Sequence, residues 1–360
     1  MEFRLPSVFR KAAPVMLGVD ICTSGVKVVE LVRGRKAAIC LQRYAIEPIP
    51  AGAIVDGNVE QSEAIVAALS RALRRLGSRT RDAALALPSS AVITKKITLP
   101  AGLTEEDYEF QVESEASQYI QFPIEEVNLD FQILGPVPNN PDEVEVLLAA
   151  SRKEKVEDRV AIVESCGLRA VVMDIDTYAS REVLDHVALT LPNEGQGQVI
   201  ALLDIGAVTT RVTMSLNGQT IFERMQTLGG VQLTTELVRL YGFTQEEAET
   251  RKRTGDLPEN YRTDVLDPFV QQAAADAARA IQLFFSSAPY ARVDRIYLAG
   301  GTSVVPGLAE AIAAKTNTPT EILNPFAGME IAETVREKQL RLDAPALLTA
   351  CGLAMRSFDE

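Results

Sequence analysis

The sequence predicts an α/β fold of two lobes, each built on the same unit. A short apolar strand that ends in an aspartate occurs twice, at Asp20 and, 184 positions later, at Asp204. A third apolar strand, Ile296–Ala299, runs into the glycine pair Gly300-Gly301. The repeat predicts two duplicated α/β halves with a cleft between them, and the glycine pair adds a third small-residue turn.

A gapless alignment of the two copies matches more than the aspartate. The matched pairs are Asp20 with Asp204, Lys27 with Arg211, Val28 with Val212, and Gly34 with Gly218. Asn217-Gly218 favours a two-residue hairpin turn, because both residues tolerate positive φ. Arg33-Gly34-Arg35 stands at the same place in the first copy. Matching of the turn, the basic residue and the hairpin together argues against chance recurrence.

Helical and strand-like patterns fill the remaining segments. Three amphipathic or Ala-rich helices are predicted, over Gln61–Leu76, Thr104–Ile120 and Asp264–Ser287. Thr104 followed by Asp107 is a weak form of the capping signature, and the apolar stripe of that helix extends to Tyr119. Two strands, Val127–Leu134 and Glu143–Ala150, are predicted on either side of a loop over Pro136–Pro141.

Composition and charge exclude several classes of protein. The chain of 360 residues has 36 basic and 49 acidic residues and a net charge of -13, which disfavours a nucleic-acid partner. The four cysteines have no CxxC spacing, so they predict reduced thiols and no zinc site. The single histidine, His186, is expected to be a core or surface residue.

The ends of the chain and its apolar runs predict no membrane insertion. Apolar runs such as Val199–Leu203 are interrupted after a few residues, whereas a span needs about 20 apolar positions. Residues 1–14 are expected to form a flexible lead without the features of a signal peptide.

An aspartate at a strand end followed by small residues suits phosphate chemistry. Backbone N–H groups of such a turn bind phosphate oxygens, and the carboxylate holds Mg²⁺ through water. Glycine lets a ribose or base lie directly against the backbone, as at Gly300-Gly301. The alternatives are an ordinary Asx-turn for each aspartate and a helix-entry turn with positive φ for the glycine pair.

The three turns resemble the ATP site of the actin/Hsp70/FtsA superfamily, and the sequence contains no Walker A motif. Ser114–Phe131, Val144–Ala150 and the C-terminal Asp343–Phe358 further resemble the PilM family of type IV pilus assembly proteins. The resemblance extends from about Val15 to Phe358. It implies an actin-like (FtsA-like) fold of duplicated ribonuclease-H-like domains with a small inserted subdomain.

The resemblance also implies domain boundaries. The first lobe covers residues 15–198, with a partner-binding subdomain inserted at about 94–167. The second lobe covers 199–342, with a helical subdomain at about 229–290, and residues 343–360 form a C-terminal helix that returns to the first lobe.

The same resemblance assigns roles to individual residues. It implies catalytic roles for Asp20, Asp204 and Asp176, and Mg²⁺ binding by Asp20 and Asp204. The ATP-binding residues that it implies are Asp20, Cys22, Thr23, Ser24, Lys27, Asp204, Gly206, Thr209, Gly229, Gly230, Glu249, Lys252, Gly300, Gly301 and Thr302. The i, i+3 spacing of Glu249 and Lys252 also fits a solvated ion pair.

Two departures from the family pattern concern the expected chemistry. Cys22 stands where many superfamily members have glycine, so the thiol is expected to crowd the phosphate. Asp176 stands where relatives usually have a glutamate that positions water. Its shorter side chain predicts ATP binding with at most slow hydrolysis, so that the nucleotide acts as a conformational ligand.

The implied function is an ATP-binding cytoplasmic scaffold, peripheral at the inner membrane through its partner. The partner is the N-terminal cytoplasmic tail of PilN, with indirect links to PilO and to the pilus motor ATPases and platform protein. A peptide docks by strand addition or by apolar anchors. Candidate contact residues are Tyr119, Phe122, Val144, Val146 and Leu148, each of which core packing explains equally well.

Two alternatives remain open at this point. An FtsA-like cell-division or cytoskeletal protein shares the fold but is expected to end in an amphipathic membrane-binding helix, whereas this sequence stops at Phe358-Asp359-Glu360. A small-molecule kinase of the same superfamily needs a carboxylate that activates the acceptor. Asp176 is a candidate for that role, but no supporting polar cluster accompanies it. An Hsp70-like chaperone is disfavoured because no substrate domain follows.

Overall fold

The two aspartate repeats each form an antiparallel β-hairpin in the computed structural model, which describes residues 15–34 and 38–359. In the first hairpin Asp20 lies opposite Lys27. In the second, Asp204 lies opposite Arg211. The alignment of the two copies therefore corresponds to the same strand register in both.

The chain divides into two compact units. The first comprises residues up to Glu30, Ala45–Ala179 and residues from Leu353 onward; the second comprises Leu31–Tyr44 and Ser180–Gly352. The strands and helices that begin in the first unit, or cross its boundary, are β1 (Leu17–Cys22), β2 (Gly25–Arg33), β3 (Ile39–Pro48), β4 (Ile54–Val55), β5 (Asn58–Val59), α1 (Ser62–Leu76), β6 (Asp82–Leu87), β7 (Val92–Pro100), α2 (Glu105–Ala116), β8 (Val127–Val137), β9 (Asn140–Arg152), α3 (Lys153–Ser165), β10 (Arg169–Ile175) and α4 (Asp176–Ala188).

The main sheet of the first unit runs in the order β10-β6-β1-β2-β3. β1 and β10 both pair with β6 in parallel, so the carboxyl ends of these three strands meet at one edge. α1 and α3 pack against the sheet through an apolar core that includes Leu17, Leu69 and Ile162. The predicted helix over Gln61–Leu76 is confirmed, with Gln61 as its N-cap.

A three-stranded antiparallel sheet, in the order β7-β9-β8, forms the insert of the first unit. α2 packs on it through Tyr108 and Val112, and the predicted Thr104 cap is present because its side chain accepts the N–H of Asp107. α2 ends at Ala116, so the stripe does not continue to Tyr119, which is 39% exposed.

The strands of the insert have other ends than the predicted ones. β8 ends at Val137 and β9 begins at Asn140. Only a two-residue turn therefore remains where a loop over Pro136–Pro141 is predicted. Asn139 adopts a φ of 65°, which lets the chain reverse tightly. α3 follows β9 directly and packs against α1 and β10, so the three-stranded sheet ends at Arg152.

The second unit has a five-stranded sheet in the order β13-β12-β11-β14-β15. Its elements after α4 are β11 (Val199–Ile205), β12 (Thr210–Leu216), β13 (Gln219–Gln226), α5 (Val231–Tyr241), α6 (Gln245–Thr254), α7 (Asp267–Ser287), β14 (Arg295–Ala299), α8 (Leu308–Thr316), β15 (Thr320–Ile322), β16 (Glu330–Ile331), α9 (Glu337–Asp343) and α10 (Leu348–Met355). α10 continues into the first unit at Leu353, and β16 pairs with β3 at Cys40 and Leu41.

Two predictions in this unit are confirmed with adjusted ends. The Ala-rich helix begins at Asp267, because residues Arg262–Leu266 form a π-helical turn. Asn217 and Gly218 have φ values of 50° and 73°, as a hairpin turn with two left-handed residues requires. The corresponding turn of the first copy includes Arg35, which lies outside the described residues, as does the predicted lead over 1–14. Among the described residues no helix is long and apolar enough to cross a membrane.

Candidate functional site

The aspartate turn of the first unit is closed by the pairing of Cys22 with Gly25, which leaves Thr23 and Ser24 at its tip. A Cβ at Gly25 would lie 2.5 Å from the carbonyl oxygen of Glu47, so only glycine fits there. The Cys22 thiol donates to the Gly25 carbonyl at 3.3 Å. The thiol therefore occupies the turn and contacts its backbone.

Asp20 is buried at the end of this turn, with 8% of its surface exposed. Lys27 donates to its carboxylate at 3.0 Å from the paired strand. The ion pair fixes the carboxylate at the carboxyl edge of the sheet and places a positive charge beside it. Both groups suit the binding of an anion and its cation at this edge.

Asp176 begins α4 immediately after β10 and lies at the same carboxyl edge as Asp20. Its Oδ1 accepts a hydrogen bond from the backbone N–H of Ser89 at 3.0 Å. Ser89 begins a single 3₁₀ turn, Ser89–Ala91, which leads from β6 into β7. The carboxylate is therefore held against the backbone at the start of the insert.

Sequence reasoning missed Arg159, a charged residue that lies near this edge. Its side chain belongs to α3 and is only 2% exposed. The pKa of Arg159 is lowered, because the effect of burial exceeds that of the nearby carboxylates. Those of Asp158, Asp176 and Asp20 act in the opposite direction and raise it. The available signal was its position on an apolar helical stripe, three residues before Ile162 and four before Val163.

The aspartate turn of the second unit is built from backbone contacts between small residues. The Gly206 N–H donates to the Thr209 carbonyl at 2.9 Å, which closes the turn after Asp204. The Gly230 N–H donates in turn to the Gly206 carbonyl at 3.1 Å. A Cβ at Gly229 would lie 2.4 Å from the Ala207 carbonyl oxygen, so only glycine allows the start of α5 to approach the turn this closely.

The glycine pair packs directly on this second turn. Gly300 has a φ of +84°, and a Cβ there would lie 2.3 Å from the Ile205 carbonyl oxygen and 2.6 Å from an Asp204 oxygen. Thr302 donates from its hydroxyl to the Gly206 carbonyl at 2.8 Å. Close packing within the chain thus explains Gly300, whereas at Gly301 the nearest atom to an added Cβ is 3.9 Å away.

Glu249 and Lys252 form part of a half-buried network next to the glycine at the start of α5. Lys252 donates to Glu249 at 2.7 Å, to the Thr234 hydroxyl at 2.7 Å and to the Gly230 carbonyl at 3.2 Å. Thr234 also donates to Glu249. Burial alone raises the pKa of Glu249, but the hydrogen bonds from Lys252 and Thr234 outweigh it and lower the pKa. The pair is therefore more than a solvated ion pair.

The candidate partner-binding residues divide by exposure. Val146 and Leu148 are fully buried in the core under α2, and Val144 packs at the edge of that core. Core packing therefore accounts for Val146 and Leu148, and they offer no surface to a partner. Tyr119 and Phe122 are 39% and 44% exposed.

Two cations lie over these exposed aromatic rings. The Lys95 ammonium is 5.5 Å from the centre of the Tyr119 ring, and the Arg152 guanidinium is 4.9 Å from that of Phe122. We call these four residues the aromatic–basic patch. Within the described part of the chain, no group of three or more His, Cys, Asp or Glu side chains is arranged to hold a metal ion.

Comparison with known proteins identifies the family. The model of the type IV pilus assembly protein PilM family matches residues 18–358. The chain belongs to this family. A solved structure described as the PilM-PilN type IV pilus biogenesis complex is 28% identical, with a TM-score of 0.80, and the match covers 97% of this chain and 100% of that one.

More distant relatives have the same fold. The ethanolamine utilization protein EutJ from Carboxydothermus hydrogenoformans is 17% identical, with a TM-score of 0.56 over 95% of this chain and 89% of that one. The cell division protein FtsA of Bacillus subtilis is 24% identical over 260 residues, which is 66% of this chain, and the match spans 58% of its own length. The predicted family and the actin-like, FtsA-like fold are confirmed.

Proposed function

We propose that this protein is an ATP-binding scaffold of the type IV pilus inner-membrane assembly complex, and that it binds the N-terminal cytoplasmic tail of PilN. The observation that carries the proposal is the similarity over 97% of the chain to a protein solved in a PilM-PilN complex. Through PilN the scaffold lies at the cytoplasmic face of the inner membrane. PilO, the motor ATPases and the platform protein are its indirect partners.

The second unit contributes the groups that suit a nucleotide. Gly206 closes the turn after Asp204 by donating to the Thr209 carbonyl. Other backbone N–H groups of this turn, including that of Thr209, bind phosphate oxygens. Gly229 and Gly230 place the start of α5 beside that turn. Gly301 and Thr302 seat the adenosine, because the backbone at Gly301 is open to a flat group.

The Glu249–Lys252 network provides the remaining contacts to the nucleotide. Lys252 donates to the carbonyl of Gly230, the N-cap of α5, so the network and the phosphate turn are hydrogen-bonded neighbours. We assign these two side chains to the ribose and base.

The residues of the first unit fit Mg²⁺ as the companion of the phosphates. Mg²⁺ prefers oxygen ligands and retains most of its water, so a single buried carboxylate such as Asp20 suffices on one side. Asp204 is the corresponding carboxylate in the second unit. Thr23, Ser24 and Lys27 lie at or beside the turn and suit phosphate oxygens. When bound, the cation neutralises phosphate charge.

Hydrolysis is at most slow in this proposal. Asp176 is shorter than the glutamate expected at this place, and it is hydrogen-bonded to the Ser89 backbone. A general base must lie within hydrogen-bond reach of the attacking water, and this carboxylate is drawn toward the protein instead. The bound nucleotide therefore acts as a ligand that shifts the conformation of the protein, rather than as a source of energy.

The aromatic–basic patch is the proposed contact surface for the PilN tail. Exposed aromatic side chains combine a large apolar area with low conformational entropy, which suits them as anchors for a peptide. The adjacent Lys95 and Arg152 place two positive charges beside the rings.

The proposal is tested by calorimetric titration of the protein, with Mg-ATP present, with a peptide covering the cytoplasmic N-terminus of PilN from the same genome. We expect saturable binding of about one peptide per protein. A scrambled peptide is the control. Absence of binding, with ATP binding established separately, would remove the partner from the proposal and leave the fold and family unchanged.

A further inference from the structure

Arg159 is a buried cation that the proposed ATP site does not explain. Its guanidinium donates to two backbone carbonyls, those of Gly57 at 3.0 Å and Lys155 at 3.3 Å. Its Nε is buried and makes no hydrogen bond with the described residues. Burying a guanidinium without a bonded carboxylate is costly, because carbonyl groups compensate only part of its lost hydration. The fold thus maintains an expensive charge at this place.

Gly57 connects Arg159 to Asp176 through the Ser89–Ala91 turn. Gly57 is at the tip of the β4–β5 hairpin, with a φ of +81°. A Cβ at Gly57 would lie 2.9 Å from Cγ of Pro88 and 3.6 Å from Oγ of Ser90, so the hairpin tip packs tightly against this turn. The next contact is the hydrogen bond from the Ser89 N–H to Asp176.

The charge of Arg159 acts on the same edge. Asp20 and Asp176 both interact electrostatically with the guanidinium, together with its sequence neighbour Asp158. The hydrogen bonds of the guanidinium go to the carbonyl groups of Gly57 and Lys155. The guanidinium therefore compensates the charge of the two carboxylates of the edge, along with Lys27, which pairs with Asp20.

We propose that Arg159 is a positioning residue of the phosphate-binding edge. Its guanidinium holds the Asp56–Gly57 hairpin tip against the Ser89–Ala91 turn, and that turn fixes the Asp176 carboxylate. Its charge offsets the two carboxylates when a polyphosphate binds. The expected change in ATP binding rests on the proposed ATP-binding function. The expected change in metal binding does not, because it concerns Asp20 and Asp176 directly.

The test compares Arg159→Met and Arg159→Lys with the wild type in two titrations, one with ATP in EDTA and one with Mn²⁺ alone followed by electron paramagnetic resonance. Removing the cation is expected to weaken ATP binding about tenfold and to strengthen Mn²⁺ binding about threefold, since attraction for the phosphates and repulsion of the metal both disappear. Arg159→Lys keeps the charge and should stay within about threefold of the wild type in both.

Arg169→Met is the matched control, because it removes an exposed guanidinium from the start of β10, at the opposite end of the same strands. It should leave both titrations unchanged. Unchanged ATP and Mn²⁺ binding in Arg159→Met would overturn the proposal, as would a parallel loss of both that lysine does not restore. If the wild type itself does not bind ATP, the proposed function fails, and the Mn²⁺ titration still decides the inference.

A second pair of variants covers the case in which Arg159→Met does not fold. Ser89→Pro removes the N–H that Asp176 accepts, at the first position of a 3₁₀ turn where proline is tolerated. It also removes the hydroxyl, which Ser89→Ala removes alone. Pro88 before it is extended, with φ of −65° and ψ of 138°, as a residue before proline prefers. Mn²⁺ binding should strengthen about threefold in Ser89→Pro, because the Asp176 carboxylate is no longer held by the Ser89 N–H. It should stay unchanged in Ser89→Ala, which keeps that N–H. Equal binding in the two variants would refute the role of this turn.

Discussion

Lys27 and Asp20 form an ion pair of 3.0 Å between directly opposed positions of a β-hairpin. Arg211 and Asp204 occupy the same opposed positions in the second unit. A carboxylate at a strand end with a cation opposite it is thus a property of the repeated unit. In the proposed function the carboxylate serves a hydrated cation and the basic residue an anion, although Arg211 also lies 3.6 Å from the Glu223 carboxylate.

The metal role of Asp20 predicts a loss that depends on Mg²⁺. Asp20→Asn should weaken ATP binding about tenfold in the presence of Mg²⁺ and should not weaken it in EDTA, because the amide repels phosphate less than the carboxylate does. Calorimetric titration under both conditions measures the difference. Asp82→Asn is the control, since Asp82 lies at the amino end of β6 and pairs with Arg169. Equal losses with and without Mg²⁺ would contradict the metal role.

The two neighbouring glycines separate packing from ligand binding. Gly300→Ala should destabilise the protein by at least about 2 kcal/mol, because its φ is +84° and the new Cβ overlaps the Ile205 backbone. Gly301→Ala should retain the wild-type melting temperature but bind ATP more weakly, since the added methyl group occupies the proposed adenosine position. Thermal unfolding and ATP titration of both variants check this. Wild-type affinity in a stable Gly301→Ala variant would argue against the adenosine assignment.

The Glu249 network predicts a stability that depends on pH. Because the pKa of Glu249 is lower in the folded state, its contribution is present above the unfolded pKa and is lost as pH falls through the folded one. Lys252→Met should destabilise the protein at pH 7 by leaving a half-buried carboxylate without its cation. The loss should shrink as pH falls below the ordinary glutamate pKa of about 4.3, because protonation then removes the charge that Lys252 compensates. Urea unfolding at about pH 7 and about pH 3 tests this, and an equal loss at both values would contradict it.

Asp185 predicts the opposite pH dependence in the second unit. Burial raises the pKa of Asp185 to about 6, against the opposing effect of Arg181. A raised carboxyl pKa stabilises the folded state below the unfolded pKa, and this stabilisation is lost as pH rises toward 6. Asp185→Asn should therefore remove a decrease in stability between about pH 4 and pH 6. Glu194→Gln, at an exposed acidic residue, is the control. An unchanged profile in Asp185→Asn would exclude this group as the cause.

The aromatic–basic patch predicts a loss of partner binding without a loss of stability. Tyr119→Ser combined with Phe122→Ser should weaken binding of the PilN peptide at least about tenfold, because aromatic anchors dominate such contacts. Both rings are exposed, so the melting temperature should change little. Phe110→Ser is the control, since Phe110 is 73% exposed but belongs to the outer face of α2. Equal effects of the control and the double variant would remove the patch from the proposal.

The sequence predicted what depends on local backbone chemistry. The hairpin register around Asp20 and Asp204 followed from aligned residues, and the Asn217-Gly218 turn followed from the φ values that these residues tolerate. The Thr104 cap was equally local. Each of these features is decided by a few adjacent residues.

What the sequence did not predict depends on contacts between distant segments. The sequence pattern of Val146 and Leu148 fits a partner-binding surface and a buried core equally well. The packing of α2 on these residues shows that they belong to the core. The end of the three-stranded sheet at Arg152 depends on where α3 packs. The role of Arg159 was not predicted because its side chain interacts with Gly57, Asp176 and Asp20, which are distant from it in the sequence.

The insert enters and leaves the first unit through neighbouring strand ends. Val92 at the start of β7 pairs with Ser151 near the end of β9, and the Ser151 hydroxyl donates to the Ala91 carbonyl at 2.9 Å. Opposed residues of an antiparallel pair are only about 5 Å apart between Cα atoms. A linker of a few residues is therefore long enough to replace the whole insert. This geometry is that of an exchangeable module, because its replacement can leave the two chain crossings at the same spacing.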